Sequence, residues 1–351
     1  MKPKVLVILT NLGGPDSLGA VRPFLFNLFY DRAILNLPNP FRYMLARWIS
    51  FARTKKAKGI YAQMGGKSPI LENTLRQAKG LKKSLEDDFE VMVISAMRYW
   101  HPRTIDALEF ANAFKPNKVV LLPLYPQFST TTTASSIKEW KEIAPQWQEH
   151  TSVECCYFND PDFIKAHQDL IQPILTEATK HGAPRILFSA HGLPQKVIDS
   201  GDPYQKQIEA TVESVMKGFN DIDYAICYQS KVGPLKWLGP STEEALKNTG
   251  DKKQPVVVVP VAFVSEHSET LVELDIDYAE KAKEWGIPFY GRVPALGEHP
   301  SYIKCLENAV RRLVVEQSSN CLKRICANSK CSSSRCHLYN LSSEFMSQKC
   351  S

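Results

Sequence analysis

Arg185-Ile186-Leu187-Phe188-Ser189-Ala190-His191-Gly192-Leu193-Pro194 reads as a strand with apolar residues on both faces that opens, at His191, into a Gly/Pro loop. Strands of that kind belong in parallel sheets covered by helices on both sides. Comparable runs recur at 4–9, 90–97, 118–125, 151–157, 222–228, 255–263 and 287–290. Helical patterns at 70–86, 102–114, 160–180, 203–218, 268–284 and 299–315 lie between them. The alternation predicts an α/β fold with open parallel sheets; a closed barrel is the competing arrangement.

Two echoes divide the chain. Thr10-Asn11-Leu12-Gly13-Gly14-Pro15 resembles Ser189-Ala190-His191-Gly192-Leu193-Pro194, and Val119-Val120-Leu121-Leu122-Pro123-Leu124 resembles Val257-Val258-Val259-Pro260-Val261. If the echoes are not chance, they predict two similar, doubly wound, Rossmann-like halves, 1–150 and 151–315. A ligand cleft then lies between them, at the carboxyl ends of the strands. Between its first two strands the first half carries a surplus at about 19–65. Phe24, Phe26, Phe29, Tyr30, Phe41, Trp48 and Phe51 alternate there with Arg32, Arg42, Arg47, Arg53, Lys55 and Lys56. Apolar bodies with basic tips suit a flat, carboxylate-bearing ligand or a membrane surface. The ordinary alternative is a helical hairpin packed on the core.

The 351 residues are 44% apolar, enough for a sizeable core. A net charge of +6, with Lys and Arg spread among acids, argues against a nucleic-acid partner. The apolar run Val5–Leu9 behind Lys2 and Lys4 is too short for a signal peptide, and no run approaches the roughly 20 apolar residues of a membrane span. The expected location is therefore the cytoplasm, with peripheral membrane contact through 19–65 left open. Cys155, Cys156, Cys227 and Cys305 lie in the body, whereas Cys321, Cys326, Cys331, Cys336 and Cys350 crowd the segment 316–351. In a chain with no export signal, that clustering points to metal or redox chemistry more than to a disulfide framework.

His191 falls where open α/β sheets place function; a neutral imidazole there can accept a proton or bind a metal, or merely satisfy a structural hydrogen bond. A second strand end, Val261-Ala262-Phe263-Val264-Ser265-Glu266-His267-Ser268-Glu269, runs into a helix that Ser265 or Ser268 can cap. Glu266, Glu269, Glu273 and Asp277 recur at helical spacing, with His267 beside the first. Such a ladder is usually a solvated face, but one that starts at a strand end can share protons with a histidine or hold a divalent cation. The body has no Cys-x-x-Cys and no His-Glu-x-x-His, so a transient metal substrate fits better than a resident zinc.

Gly65-Gly66-Lys67-Ser68-Pro69, then the strand-end segments Met97-Arg98-Tyr99, Tyr125-Pro126-Gln127 and Gln229-Ser230-Lys231-Val232-Gly233, and then Trp237-Leu238-Gly239-Pro240 are further motifs. In this order, with the stretches around Asn11, His191 and Glu269, they resemble the ferrochelatase family over about residues 4–315. The resemblance implies two Rossmann-like halves around a porphyrin cleft, and insertion of Fe²⁺ into protoporphyrin IX with release of two protons. It implies that His191 takes pyrrole protons or helps bind iron, with Glu269 as its partner. Glu266, His267, Glu273 and Asp277 would form the path for metal or protons. Arg98 and Tyr99 would line the porphyrin or metal side, and Ser68 with Arg53 the propionate lip. Fe²⁺ is then a substrate, and the body requires no resident cofactor. Some members hold a [2Fe–2S] cluster, and Cys321, Cys326, Cys331 and Cys336 offer four thiolates. Their spacing departs from the animal pattern, and Thr130 stands where its remote ligand would be, with Cys155 or Cys156 as substitutes. A flexible appendage is the alternative for this tail. A chelatase for another metal or tetrapyrrole (cobalt, coproporphyrin) and a non-enzymatic haem or porphyrin carrier are the rival functions.

Overall fold

The computed structural model describes residues 2–231 and 235–315. The first sheet contains β1 (Lys4–Asn11), β2 (Glu90–Met97), β3 (Lys118–Pro123) and β4 (Thr151–Val153) in the order β2-β1-β3-β4. The second contains β5 (Arg185–His191), β6 (Asp223–Gln229), β7 (Val256–Pro260) and β8 (Tyr290–Arg292) in the order β6-β5-β7-β8. Every pairing is parallel. In each sheet the connections therefore leave the central pair in opposite directions, which opens a crevice at the carboxyl ends of β1 and β3 and of β5 and β7.

The apolar runs follow from burial on both faces. Val5, Val7 and Leu9 enter a core that also contains Ile186, Phe188, Val257 and Val259 of the other half. Leu6 and Ile8 pack on the far side of the first sheet, and Leu187, Val256 and Val258 on the far side of the second. One contiguous core thus joins the halves. The halves do not divide at 150/151. β4 pairs with β3, and the rest of that apolar run, Cys155 to Phe158, is a buried connection leading to the helix Pro161–Thr179. Helix α11 (Pro300–Val315) packs back on the first half, where Arg311 donates to Asp88 (2.6 Å) and Arg312 pairs with the buried Glu154. The last strand lies at 290–292 rather than 287–290, because Pro288 has no N–H for a ladder.

The surplus between β1 and β2 is a helical hairpin, α1 (Val21–Tyr30) and α2 (Phe41–Gln63), followed by the crossover helix α3 (Ile70–Leu85). On its inner side Val21, Phe24, Leu25 and Tyr61 pack with Tyr99. Its outer side carries Phe41, Met44, Trp48 and Phe51, at spacings that share a helix face, each about two-thirds exposed. Helices α5 (Thr133–Ile143) and α9 (Thr242–Asp251) escape the sequence pattern, although Ser241 and Glu244 form a capping box at the start of α9.

Asp202 stitches the halves: buried, it accepts from Ser129 Oγ (3.0 Å), Thr130 N (2.7 Å), Thr130 Oγ1 (2.6 Å) and Tyr204 N (3.0 Å). Removing a charged acceptor strands buried donors. Asp202→Ala is expected to lower stability by about 2–4 kcal/mol, read from the midpoint of urea unfolding, whereas an unchanged midpoint would mean that water takes over all four bonds.

Candidate active site

His191 is the last residue of β5, at the crevice of the second sheet. The chain must turn tightly after it, and Gly192 N donates to Gln229 O (2.9 Å). A side chain at 192 would put its Cβ only 2.7 Å from that same carbonyl oxygen, so the position admits glycine alone. Buried Gln229 ties the two sides of the site together: its Oε1 accepts from Ser189 Oγ (2.8 Å) and its Nε2 donates to the backbone oxygen of Glu269 (3.2 Å).

Glu269 arrives from the loop after β7, at the first turn of a π-helix (Glu269–Asp277) that continues into the α-helix Tyr278–Glu284. His191 Nδ1 donates to Glu269 Oε2 at 2.9 Å, and both side chains are partly exposed, 40% and 24%. Burial disfavours the imidazolium, but the carboxylates of Glu269 and Glu273 outweigh it and raise the pKa of His191. Burial likewise opposes the Glu269 carboxylate, yet His191 beside it draws its pKa down to about 2. The proton of the pair therefore rests on the imidazole. Burial and the charge on Glu269 push Glu273 the other way, upward, and its oxygens meet Ser230 Oγ (3.1 Å) and Tyr278 OH (3.2 Å). Two carboxylates four residues apart thus differ in proton affinity, the arrangement expected where protons are passed on.

The remaining ladder residues diverge. Glu266 precedes the π-helix and pairs with Arg292 Nη1 (2.6 Å), and its Oε1 also accepts from Ala295 N (2.9 Å). His267 lies against Phe263, and burial lowers its pKa, which keeps it neutral. Asp277 stands exposed at the far end. The even spacing assumed an α-helix; i→i+5 winding and the irregular entry redistribute these side chains. Neither serine caps with its side chain: Ser265 Oγ donates to Gln77 Oε1 (3.3 Å), and Ser268 makes no capping bond. Among the described residues no three His, Cys, Asp or Glu side chains converge on a metal-binding point.

Arg98 and Tyr99 sit behind the helical hairpin. Arg98 bridges Asp31 (2.9 Å) and Glu139 (2.8 Å), and the Tyr99 ring, 1% exposed, donates its hydroxyl to Asp31 (2.8 Å). Ser68 packs on Gly14, with its N–H on Pro15 O (2.8 Å), and Arg53 lies over Phe29. Tyr61, at the end of α2, is buried with Tyr99 against the inner side of the hairpin. Sequence reading missed Tyr61, Asp31 and Arg292, since nothing local marks a residue whose partners are remote in the chain. Thr130 is committed to Asp202, and the Cys155 and Cys156 sulfurs lie 3.1 Å apart, both buried. Cys321, Cys326, Cys331 and Cys336 fall outside the described residues.

Known proteins answer to this arrangement. A sequence model named Ferrochelatase matches residues 4–314. A ferrochelatase of Wolbachia sp. subsp. Drosophila simulans is 52% identical over 309 residues, covering 86% of this chain and 97% of the relative. One from Caulobacter vibrioides is 51% identical over 315 residues, covering 89% and 90%. Among solved structures, SirB from Bacillus subtilis with Fe³⁺ superposes with a TM-score of 0.55 at 12% identity, covering 89% of this chain and 96% of that one. At that identity the likeness is one of fold, two parallel sheets facing a cleft.

In Glu269→Gln the charge that raises His191 is gone while burial stays, so the imidazole should titrate below its wild-type midpoint. Histidine NMR on the metal-free protein reads this directly, with a wild-type value above the ordinary 6.5. An unchanged midpoint in the variant would show that Glu269 does not hold the imidazolium.

Proposed function

The chain belongs to the ferrochelatase family, whose reaction places Fe²⁺ in protoporphyrin and releases two protons, and we propose that His191 and Glu269 carry that reaction here. The observation behind this reading is the 2.9 Å pair at the crevice where β5 and β7 end. Because Nδ1 faces Glu269, Nε2 is the nitrogen left to meet the substrate. Once His191 has lost its resting proton, Nε2 accepts one from a pyrrole N–H, and Glu269, remaining ionised, stabilises the imidazolium that forms. Glu273, whose carboxyl holds a proton more readily, is the next acceptor, with Ser230 and Tyr278 on its oxygens. A two-step release suits a site with one base and a neighbouring proton store. When the proton has left, the same imidazole and carboxylate present one nitrogen and oxygen ligands to the incoming divalent iron.

Neutral His267 and exposed Asp277 extend this polar track outward, whereas Arg98 and Tyr99 act on the porphyrin side by fixing the hairpin through Asp31. Ser68 and Arg53 face the propionates from the hairpin rim. The steps need no resident cofactor in residues 4–315. Among the described residues no helix is long and apolar enough to cross a membrane. The open face of Phe41, Met44, Trp48 and Phe51, with Arg42, Arg47 and Lys55 on the same helix, supports contact of the hairpin with a lipid surface or with the porphyrin's apolar edge.

Anaerobic incubation with Fe²⁺ and protoporphyrin, followed by the loss of porphyrin fluorescence, tests the chemistry. His191→Ala and Glu269→Gln should each bind porphyrin yet metallate it about 100-fold or more slowly, the usual worth of a positioned base. Full rates in both would overturn the assignment, and binding without metallation by the wild type would favour a carrier. For the hairpin, flotation with anionic vesicles should recover the wild type but not Trp48→Ser/Phe51→Ser. Equal recovery would exclude α2 as the lipid-facing element.

A further inference from the structure

Within ten residues the chain gathers Glu266, Glu269, Glu273 and Asp275, four carboxylates whose mutual repulsion would open the turn that carries them. Besides His191 on Glu269, a guanidinium answers them from outside the segment. Arg292, at the end of β8 and only 11% exposed, donates through Nη1 to Glu266 Oε1 (2.6 Å) and through Nε to Asp275 Oδ1 (2.7 Å), with Nη2 on the second oxygen of Asp275. The planar guanidinium suits this task, because one fork can grip one carboxylate bidentately and still reach another. Glu266 precedes Glu269 by three residues and Asp275 follows Glu273 by two, so the clamp brackets both. The same strand adds a backbone restraint, Tyr290 OH to Leu274 O (2.7 Å), and Asn73 of α3 holds the Glu266 carbonyl (3.1 Å).

We propose that Arg292 is a positioning residue: by clamping Glu266 and Asp275 it fixes the π-helix so that Glu269 stays 2.9 Å from His191. This rests on the reading of His191 and Glu269 given above. Glu266 thereby serves as the anchor of the clamp, its carboxylate spent on Arg292, rather than as a free ligand for passing iron. Outer partners of this kind cost about 10–100-fold in activity when removed.

The test uses the full chain under anaerobic conditions. Bound protoporphyrin is first counted by fluorescence titration, and the single-turnover rate of Fe²⁺ insertion is then expressed per bound porphyrin, which discounts any unfolded fraction. Arg292→Gln should bind porphyrin like the wild type and insert iron at least about 10-fold more slowly. Arg292→Lys, which keeps the charge but not the fork, should be faster than Gln and slower than Arg. Asp275→Asn, which breaks only the bidentate arm at a third-exposed side chain, should also slow insertion; it decides the matter if Arg292→Gln fails to fold. A wild-type rate in Arg292→Gln, or in Asp275→Asn where only that variant folds, would overturn the proposal. Glu269→Gln measured alongside separates the two levels: slow Glu269→Gln with fast Arg292→Gln removes the clamp alone, whereas fast Glu269→Gln removes the reading beneath it.

Discussion

The contact between His191 and Glu269 spans the carboxyl ends of β5 and β7, neighbouring parallel strands of the second sheet. Parallel strands finish with their backbone groups facing a crevice, and whatever closes that crevice must be polar and held from behind. Here the support comes from every side. Gly192 allows the chain past the Gln229 carbonyl, Gln229 reaches over to the Glu269 backbone, and α3 holds the loop after β7 through Gln77 on Val264 O (2.9 Å) and Asn73 on Glu266 O. Because the two sheets share one core, these restraints act within a single packed body.

The electrostatics follow from that placement. A partly buried carboxylate next to an imidazole keeps its own charge and favours a proton on the ring, while the next carboxylate along the π-helix, crowded by the first, holds a proton more readily. A gradient of proton affinity thus runs from the crevice along the helix without any change of residue type. On the facing side, Asp31 gathers Arg98, Tyr99 and Ser135 (2.6 Å), which fixes where the apolar hairpin stands relative to the crevice.

Much of this was legible in the chain. The central strands β1, β3, β5 and β7 announce themselves because burial on both faces leaves a continuous apolar signature, whereas the half-buried β8 lies displaced from its expected 287–290, and His191 and Glu269 stand out because each follows such a run. The surplus at 19–65 could be located by length but not resolved between a packed hairpin and an open lip; α1 and α2 are packed on one side and open on the other. What failed to show was non-local. The apolar run at 151–157 looks like the opening of a second half, yet β4 pairs backward with β3, and sequence periodicity carries no record of strand partners. The acidic ladder was laid out on a 3.6-residue helix, whereas the segment winds as a π-helix from 269 and Glu266 turns away to Arg292, a residue 26 positions on.

The placement of iron decides the central claim most directly. A crystal structure of the anaerobic protein with Fe²⁺ and an N-alkylated porphyrin that cannot be metallated, analysed by anomalous scattering at the iron edge, would locate the metal before insertion. Iron bound by His191 Nε2 and a Glu269 oxygen, on the porphyrin side of the crevice, is the expected result. Iron held instead beside Arg98 and Tyr99, with the His191–Glu269 hydrogen bond intact and no metal near it, would contradict it.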